Sequence, residues 1–223
     1  MSNRRILIAA LLPALAAPQS NTAGNRMEIN VERQAADSWR AIEPGTVLAG
    51  GDAVRFKFKS NFDGYLYVIN YGTSGRRALL FPLEGAAPGA NQVRAGQEYV
   101  IPPGAGRYRV AGPPGFDTIY WIVSPIELPM ALPAEPAVPG NAPSRPDPTL
   151  IPRCDDEILR ARGDCVDSRG GFQQVDEQRA QAPAMPKTSS RGLFFIRRQK
   201  TSVVSTPAKL TGPVMYEFRL AHR

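Results

Sequence analysis

The chain has 223 residues, with 27 Lys and Arg against 20 Asp and Glu and a formal net charge of +7. That length suits one domain of ordinary size. The basic surplus is dispersed, densest at Arg76-Arg77 and at "RRQK" over residues 197–200; without a basic stripe interleaved with aromatics it excludes a nucleic-acid binder and reads as charge that discourages strand edges from pairing with one another.

The first stretch, "MSNRRILIAALLPALAA", sets Arg4-Arg5 before an apolar run, with Ala14 and Ala16 at the spacing a signal peptidase reads. Residues 1–16 are expected to be a Sec-type signal peptide, too short for a stable membrane span. Arg4-Arg5 touches on the twin-arginine route, but its flanking residues fit that signal poorly. No Cys follows to carry a lipid, and no second apolar stretch is long enough to cross a membrane. The mature chain is therefore expected in the periplasm or outside the cell.

Residues 17–26 are small and polar, a disordered leader. Strand-like runs follow. "MEINVER" (27–33) alternates, and "SWRAIEPGTVLAGGD" (38–52) ends in a Gly-Gly-Asp turn. "AVRFKFKS" (53–60) has a clean period of two, with Val54, Phe56 and Phe58 inward and Arg55, Lys57 and Lys59 outward. Asp63-Gly64 predicts a hairpin into "GYLYVINY", which sets Tyr65, Tyr67, Ile69 and Tyr71 on one face and Leu66, Val68 and Asn70 on the other. Either face could be the buried one. Short turn-bounded strands follow at 77–82, 91–96, 97–103 and 106–115. "DTIYWIVSP" (117–125) is apolar on both faces, as in a central, doubly covered strand.

Over residues 126–152 proline recurs every few positions, which reads as an extended linker. Cys154 and Cys165 are an even, closely spaced pair, expected to form a disulfide in an exported protein. One short helix fits between them, with Asp155, Asp156 and Glu157 at its start favouring the helix dipole. Residues 168–190 are polar. Two last strands are expected at 191–199 and 212–223; in the second, Val214, Tyr216, Phe218 and Leu220 share a face. The organisation is thus a core over 27–125, a Pro-rich and polar excursion over 126–187, and C-terminal strands over 188–223 that complete the core. Many short strands with almost no helical periodicity predict an all-β, antiparallel β-sandwich, Ig-like or jelly-roll-like.

With "GDAVRFKFKSNFDGYLYVINYG", "LLFP", "RAGQEYVIP" and "GPPGFDTIYWIVSP" in view, residues 45–125 resemble a bacterial family of exported β-rich domains, the domain of unknown function 4384 family. The ending "YEFRLAHR" is similar to endings of relatives. The resemblance implies envelope or periplasmic placement and, because some members are joined to caspase-like peptidases or kinases, an accessory or recognition role. It supplies no catalytic residues.

Chemistry is scarce. The single histidine, His222, reads as a solvated strand end. "GTSG" (72–75) lacks the spacing of a nucleophile elbow and sits as a hairpin turn. "RGD" at 162–164 reads as a chance tripeptide at a helix end. Two thiols without a neighbouring His do not complete a zinc site, so no metal and no cofactor is expected. The expected function is a non-enzymatic binding or structural module of the cell envelope, an accessory protein-interaction domain with no catalytic residue. Two alternatives stand beside it. Tyr65, Tyr67 and Tyr71 could form a stacking platform for cell-wall glycan. A hydrolase would need a pocket joining His222 to an acid and a nucleophile.

Overall fold

The computed structural model describes residues 24–129, 151–175, 188, 192–206 and 209–223. The expected signal peptide over 1–16, most of the expected leader, and much of the Pro-rich excursion lie outside the described residues. The described residues form thirteen strands and one helix: β1 (Arg26–Ala35), β2 (Ser38–Ile42), β3 (Ala53–Ser60), β4 (Gly64–Tyr71), β5 (Arg77–Phe81), β6 (Gln92–Val93), β7 (Glu98–Ile101), β8 (Tyr108–Arg109), β9 (Gly115–Ser124), α1 (Glu157–Ala161), β10 (Gly171–Gln174), β11 (Phe194–Arg198), β12 (Thr201–Ser205) and β13 (Val214–His222).

The strands form two antiparallel sheets packed as a sandwich. The first runs β11-β12-β1-β3-β7, with β2 also on β1 and β8 on β3. The second runs β10-β13-β9-β4-β5, with β6 on β4. Period two decides what faces inward. Val54, Phe56 and Phe58 of β3 meet Trp121 of β9 and Phe218 of β13 across the layer. Phe56 stands edge-on to Trp121 at 5.5 Å and to Phe218 at 5.8 Å, and Trp121 stacks on Tyr216 at 6.3 Å. Each such ring removes its apolar surface from water, contributing about 2–3 kcal/mol by transfer. Arg55 and Lys57 stay on the outer face, paired with Glu32 and Glu98.

The central position of residues 117–125 and the return of the last strand are as expected: β9 lies between β13 and β4. Four features differ. First, Asp63-Gly64 does not close a hairpin. β3 pairs with β1, β7 and β8, while β4 pairs with β5, β6 and β9. The turn carries the chain from one sheet to the other, and Asp63 accepts a hydrogen bond from Ala95 N at 2.7 Å instead of closing its own turn. An arch satisfies the apolar faces of both strands as well as a hairpin does, so the pattern alone could not separate them.

Second, the described residues of the C-terminal part hold three strands where two were expected. "TSVVS" is β12, bonded on both sides to β1 and β11. Third, the excursion rejoins the body early. β10 pairs with β13 from Gly171 to Gln174. Asp167 N donates to Gly45 O at 2.9 Å, an approach so close that a Cβ on Gly45 would stand 2.5 Å from the Asp167 carbonyl oxygen. Fourth, both faces of β4 are covered. Leu66 and Val68 lie in the main core. Tyr67 and Ile69 lie in a second cluster on the outer face, with Ile122, Met215 and Val175, against which Leu128 packs.

Candidate functional site

At one end of the sandwich three pieces of chain converge: the β4–β5 turn, the "GPPG" turn before β9, and the end of β13. His222 is held in place by backbone on both sides. It pairs with Gly115 in β9 and bridges in parallel to Leu48, whose N–H and C=O bond Ala221 O and Arg223 N at 2.9 Å each. The expectation of a solvated strand end is wrong, for His222 is 1% exposed. Its Nε2 lies 3.2 Å from Asp117 Oδ1 and 3.4 Å from Thr73 Oγ1. Thr73 N also donates to Asp117 Oδ1, at 2.7 Å.

Glycine makes this approach possible. A Cβ on Gly112 would stand 2.8 Å from Thr73 Oγ1, and one on Gly115 would stand 2.8 Å from Thr73 Cγ2. Gly112 also has φ of +106°, a backbone that side chains disfavour. The sequence held a signal for this cluster. Asp117 shares the inward face of its strand with Ile119 and Trp121, and an acid on a buried face needs a partner.

The cluster brings together a histidine, an acid and a hydroxyl, yet not as a nucleophile relay. A relay places the acid on one ring nitrogen and the hydroxyl on the other. Here both lie against Nε2. The arrangement ties β13 to β9 and to the β4–β5 turn. Ser74 of "GTSG" sits exposed in that turn, which closes through Gly72 N to Arg76 O at 2.9 Å.

Residues 47–127 match the model of the family described as Domain of unknown function (DUF4384). The match covers the middle of the chain only. No curated protein and no solved structure matches the chain. The DUF4384 segment supplies β3 to β9, and with them Thr73, Gly112, Gly115 and Asp117. His222 comes from outside it, as do β1, β2 and β10 to β13, so both sheets are completed by chain that flanks the DUF4384 match.

Beside the cluster, a cleft of about 200 Å³ opens between the sheets, with Val54, Leu80, Val110 and Leu220 among its walls and Asn70 and Asp117 as polar lining. The Tyr108 hydroxyl donates to Leu80 O at 2.7 Å, and burial pushes that phenol well above its ordinary pKa, so it stays a donor. Asn70 Oδ1 is buried without a partner.

The tyrosine row does not form a three-ring platform. Tyr67 is 2% exposed, and its hydroxyl donates to Leu128 O at 3.1 Å and accepts from Leu128 N at 2.7 Å. The start of the Pro-rich segment lies over it. Tyr65 and Tyr71 are half-buried; Tyr71 stands edge-on to Tyr120 at 5.3 Å, with the Arg77 guanidinium over its ring at 5.1 Å.

Cys154 and Cys165 stand at disulfide distance, their Cα atoms 4.7 Å apart. Between them α1 starts as expected: Asp156 is its N-cap, accepting from Leu159 N at 3.0 Å, and Glu157 sits in the first turn. The next anchor is Asp167, whose side chain is fully buried and bonded by the Arg169 guanidinium at 2.7 Å and by Arg153 N at 2.7 Å. Burial pushes its carboxyl upward, but Arg169 and the N–H groups of Arg153 and Arg169 outweigh it and hold the group below the usual carboxylate value.

The remaining distinctive surface is β11. Among the described residues it is bonded on one side only, to β12. Phe194 and Ile196 alternate on its outer face and are 56% and 49% exposed. Arg198 and Lys200 are exposed beside them, and Arg197 is paired with Glu43.

Proposed function

We propose that this chain is an exported, non-enzymatic interaction module of the bacterial cell envelope, and that β11 is the strand through which it takes a partner protein. The signal-peptide pattern over residues 1–16 and the cysteine pair at disulfide distance support an oxidising address, where disulfides persist. The shared Nε2 of His222 supports a structural rather than a catalytic use of the one histidine.

The observation that carries the reading is the β11 edge. An open edge offers unpaired N–H and C=O groups to an extended peptide, and alternate side chains give it specificity. Such edges are ordinarily blunted by charge. Here the charge is present, at Arg198 and Lys200, but so are two large apolar side chains, Phe194 and Ile196. Positive charge disfavours a second copy of the same strand and favours an acidic one. The partner is therefore an extended segment alternating apolar and acidic residues. Its apolar side chains would lie beside Phe194 and Ile196.

The test is co-purification from an envelope extract, with wild type beside the doubly substituted Phe194→Asp, Ile196→Asp chain. The substituted protein should be exported, keep its melting temperature and lose the partner. Retention of the same partner by the substituted protein contradicts the reading.

A further inference from the structure

We propose that the cleft beside His222 is a binding site for a primary ammonium on a short aliphatic stem, held by Asp117 and Asn70. Buried polar atoms in native proteins nearly always have a partner, and one without asks for an explanation. Asn70 Oδ1 is such an atom, and Asn70 lines the cleft. So does Asp117, 7% exposed. Its Oδ1 receives Thr73 N and faces His222 Nε2; among the described residues its second oxygen has no hydrogen-bond partner. Asn70 and Asp117 both fall on the inward face of the second sheet, because Asn70 follows Leu66 and Val68 at period two and Asp117 precedes Ile119 and Trp121. They sit on paired strands, β4 and β9, with Asn70 opposite Ile119. A buried, unpartnered amide oxygen and a carboxylate thus sit on adjacent strands beside a cleft whose other lining includes Val54, Leu80, Tyr108, Val110 and Leu220.

The chemistry of the ligand follows from these groups. Both free atoms are acceptors, so the head must donate. A carboxylate in an apolar surround is stabilised by a cation, and an ammonium carries three donors, enough for both atoms at once. The rim cation, Arg109, is turned away, donating to Gly51 O at 3.2 Å. Size sets the rest. The cleft, about 200 Å³, is smaller than the roughly 300–1,000 Å³ of pockets for drug-sized molecules. It suits a chain of a few carbons, either a free alkylamine or the end of a lysine side chain. This site is independent of the β11 edge.

The test is an NMR titration of the mature protein with n-butylammonium, followed at the Asn70 side-chain amide and the Val110 and Ile119 methyls. Isosteric n-butanol serves as the neutral control, and Nα-acetyl-lysine methylamide as the lysine arm. Butylammonium should bind with a dissociation constant on the order of 1 mM. Butanol should bind about tenfold more weakly, since it has one donor and no charge to set against the carboxylate. Asn70→Leu, which removes no hydrogen bond from the fold, should weaken butylammonium by about tenfold. Asp117→Asn, checked for an unchanged fold, should weaken it further. Binding of the lysine arm with equal strength supports a lysine side chain as the natural ligand; binding of the small amine alone supports a free amine. No perturbation by either amine shows that solvent alone fills the cleft, and equal binding of butanol and butylammonium shows a merely apolar one. Either result overturns the proposal.

Discussion

His222 and Asp117, 105 residues apart, meet at 3.2 Å in the interior of the sandwich. The contact joins the last residues of β13 to the start of β9, and Thr73 closes the group from the β4–β5 turn. One ring nitrogen faces both partners, which makes the group a fastening and not a proton relay.

Removing the imidazole should therefore cost stability. His222→Ala leaves Asp117 with only its Thr73 N bond in a buried place, and a loss of about 2–3 kcal/mol is expected. A urea titration monitored by Trp fluorescence would show the midpoint fall with an unchanged slope. A variant as stable as wild type would mean that His222 is not the fastening described.

Much of the sandwich was legible and some of it was not, for definite reasons. Period two in residues 53–60 and 214–220 named the core-facing side chains of β3 and β13, because burial on one face leaves a local pattern, and the apolar character of both faces of 117–125 placed β9 in the middle of its sheet. Sheet partners leave none. Whether β3 and β4 lie side by side or across the core depends on the strands they bond, β1, β7 and β8 for β3 and β5, β6 and β9 for β4, all distant in sequence or unmarked by the local pattern. "TSVVS" is short and half polar, yet it is held between β1 and β11. His222 looked solvated because its burial is made by Leu48 and Gly115, far off in sequence. Tyr67 is covered by Leu128, inside a stretch that composition marks as linker.

β13 is bonded on both sides, to β9 and β10, and carries Tyr216 and Phe218 into the core. Deleting residues 212–223 should unfold the domain. Circular dichroism of the shortened chain should show no cooperative melt. A sharp transition at the wild-type temperature would refute the placement of this strand.

Phe58 and Lys57 are neighbours with opposite fates. Phe58 is fully buried, so Phe58→Ala should cost about 3–5 kcal/mol once the cavity is counted. Lys57 lies on the outer face with Glu98 at 2.9 Å, and exposed pairs of this kind contribute at most about 1 kcal/mol. Parallel chemical denaturation of Phe58→Ala and Lys57→Ala would measure the gap. Equal losses would undo the assignment of inner and outer faces.

Asp167 gives the docked Cys154–Cys165 segment a dependence on acid. Its carboxyl is held below the ordinary value in the folded state. A depressed group contributes stability that is present above the unfolded value, about 4, and is lost as pH falls through the folded value. Wild type should thus lose stability relative to Asp167→Asn as pH drops below about 4. Thermal melts of both proteins across that range would record converging curves. Curves that stay parallel would show that Asp167 is not held ionised by Arg169.

The central claim, that β11 is where a partner protein adds, is tested most directly by photo-cross-linking. A benzophenone-bearing residue is placed at 194 in one chain and at 65, in the tyrosine row, in another. The account predicts a covalent adduct with an envelope protein from position 194, suppressed by excess peptide of alternating valine and glutamate, and none from position 65. An adduct from position 65 with none from 194, or a 194 adduct that the peptide does not displace, would contradict it.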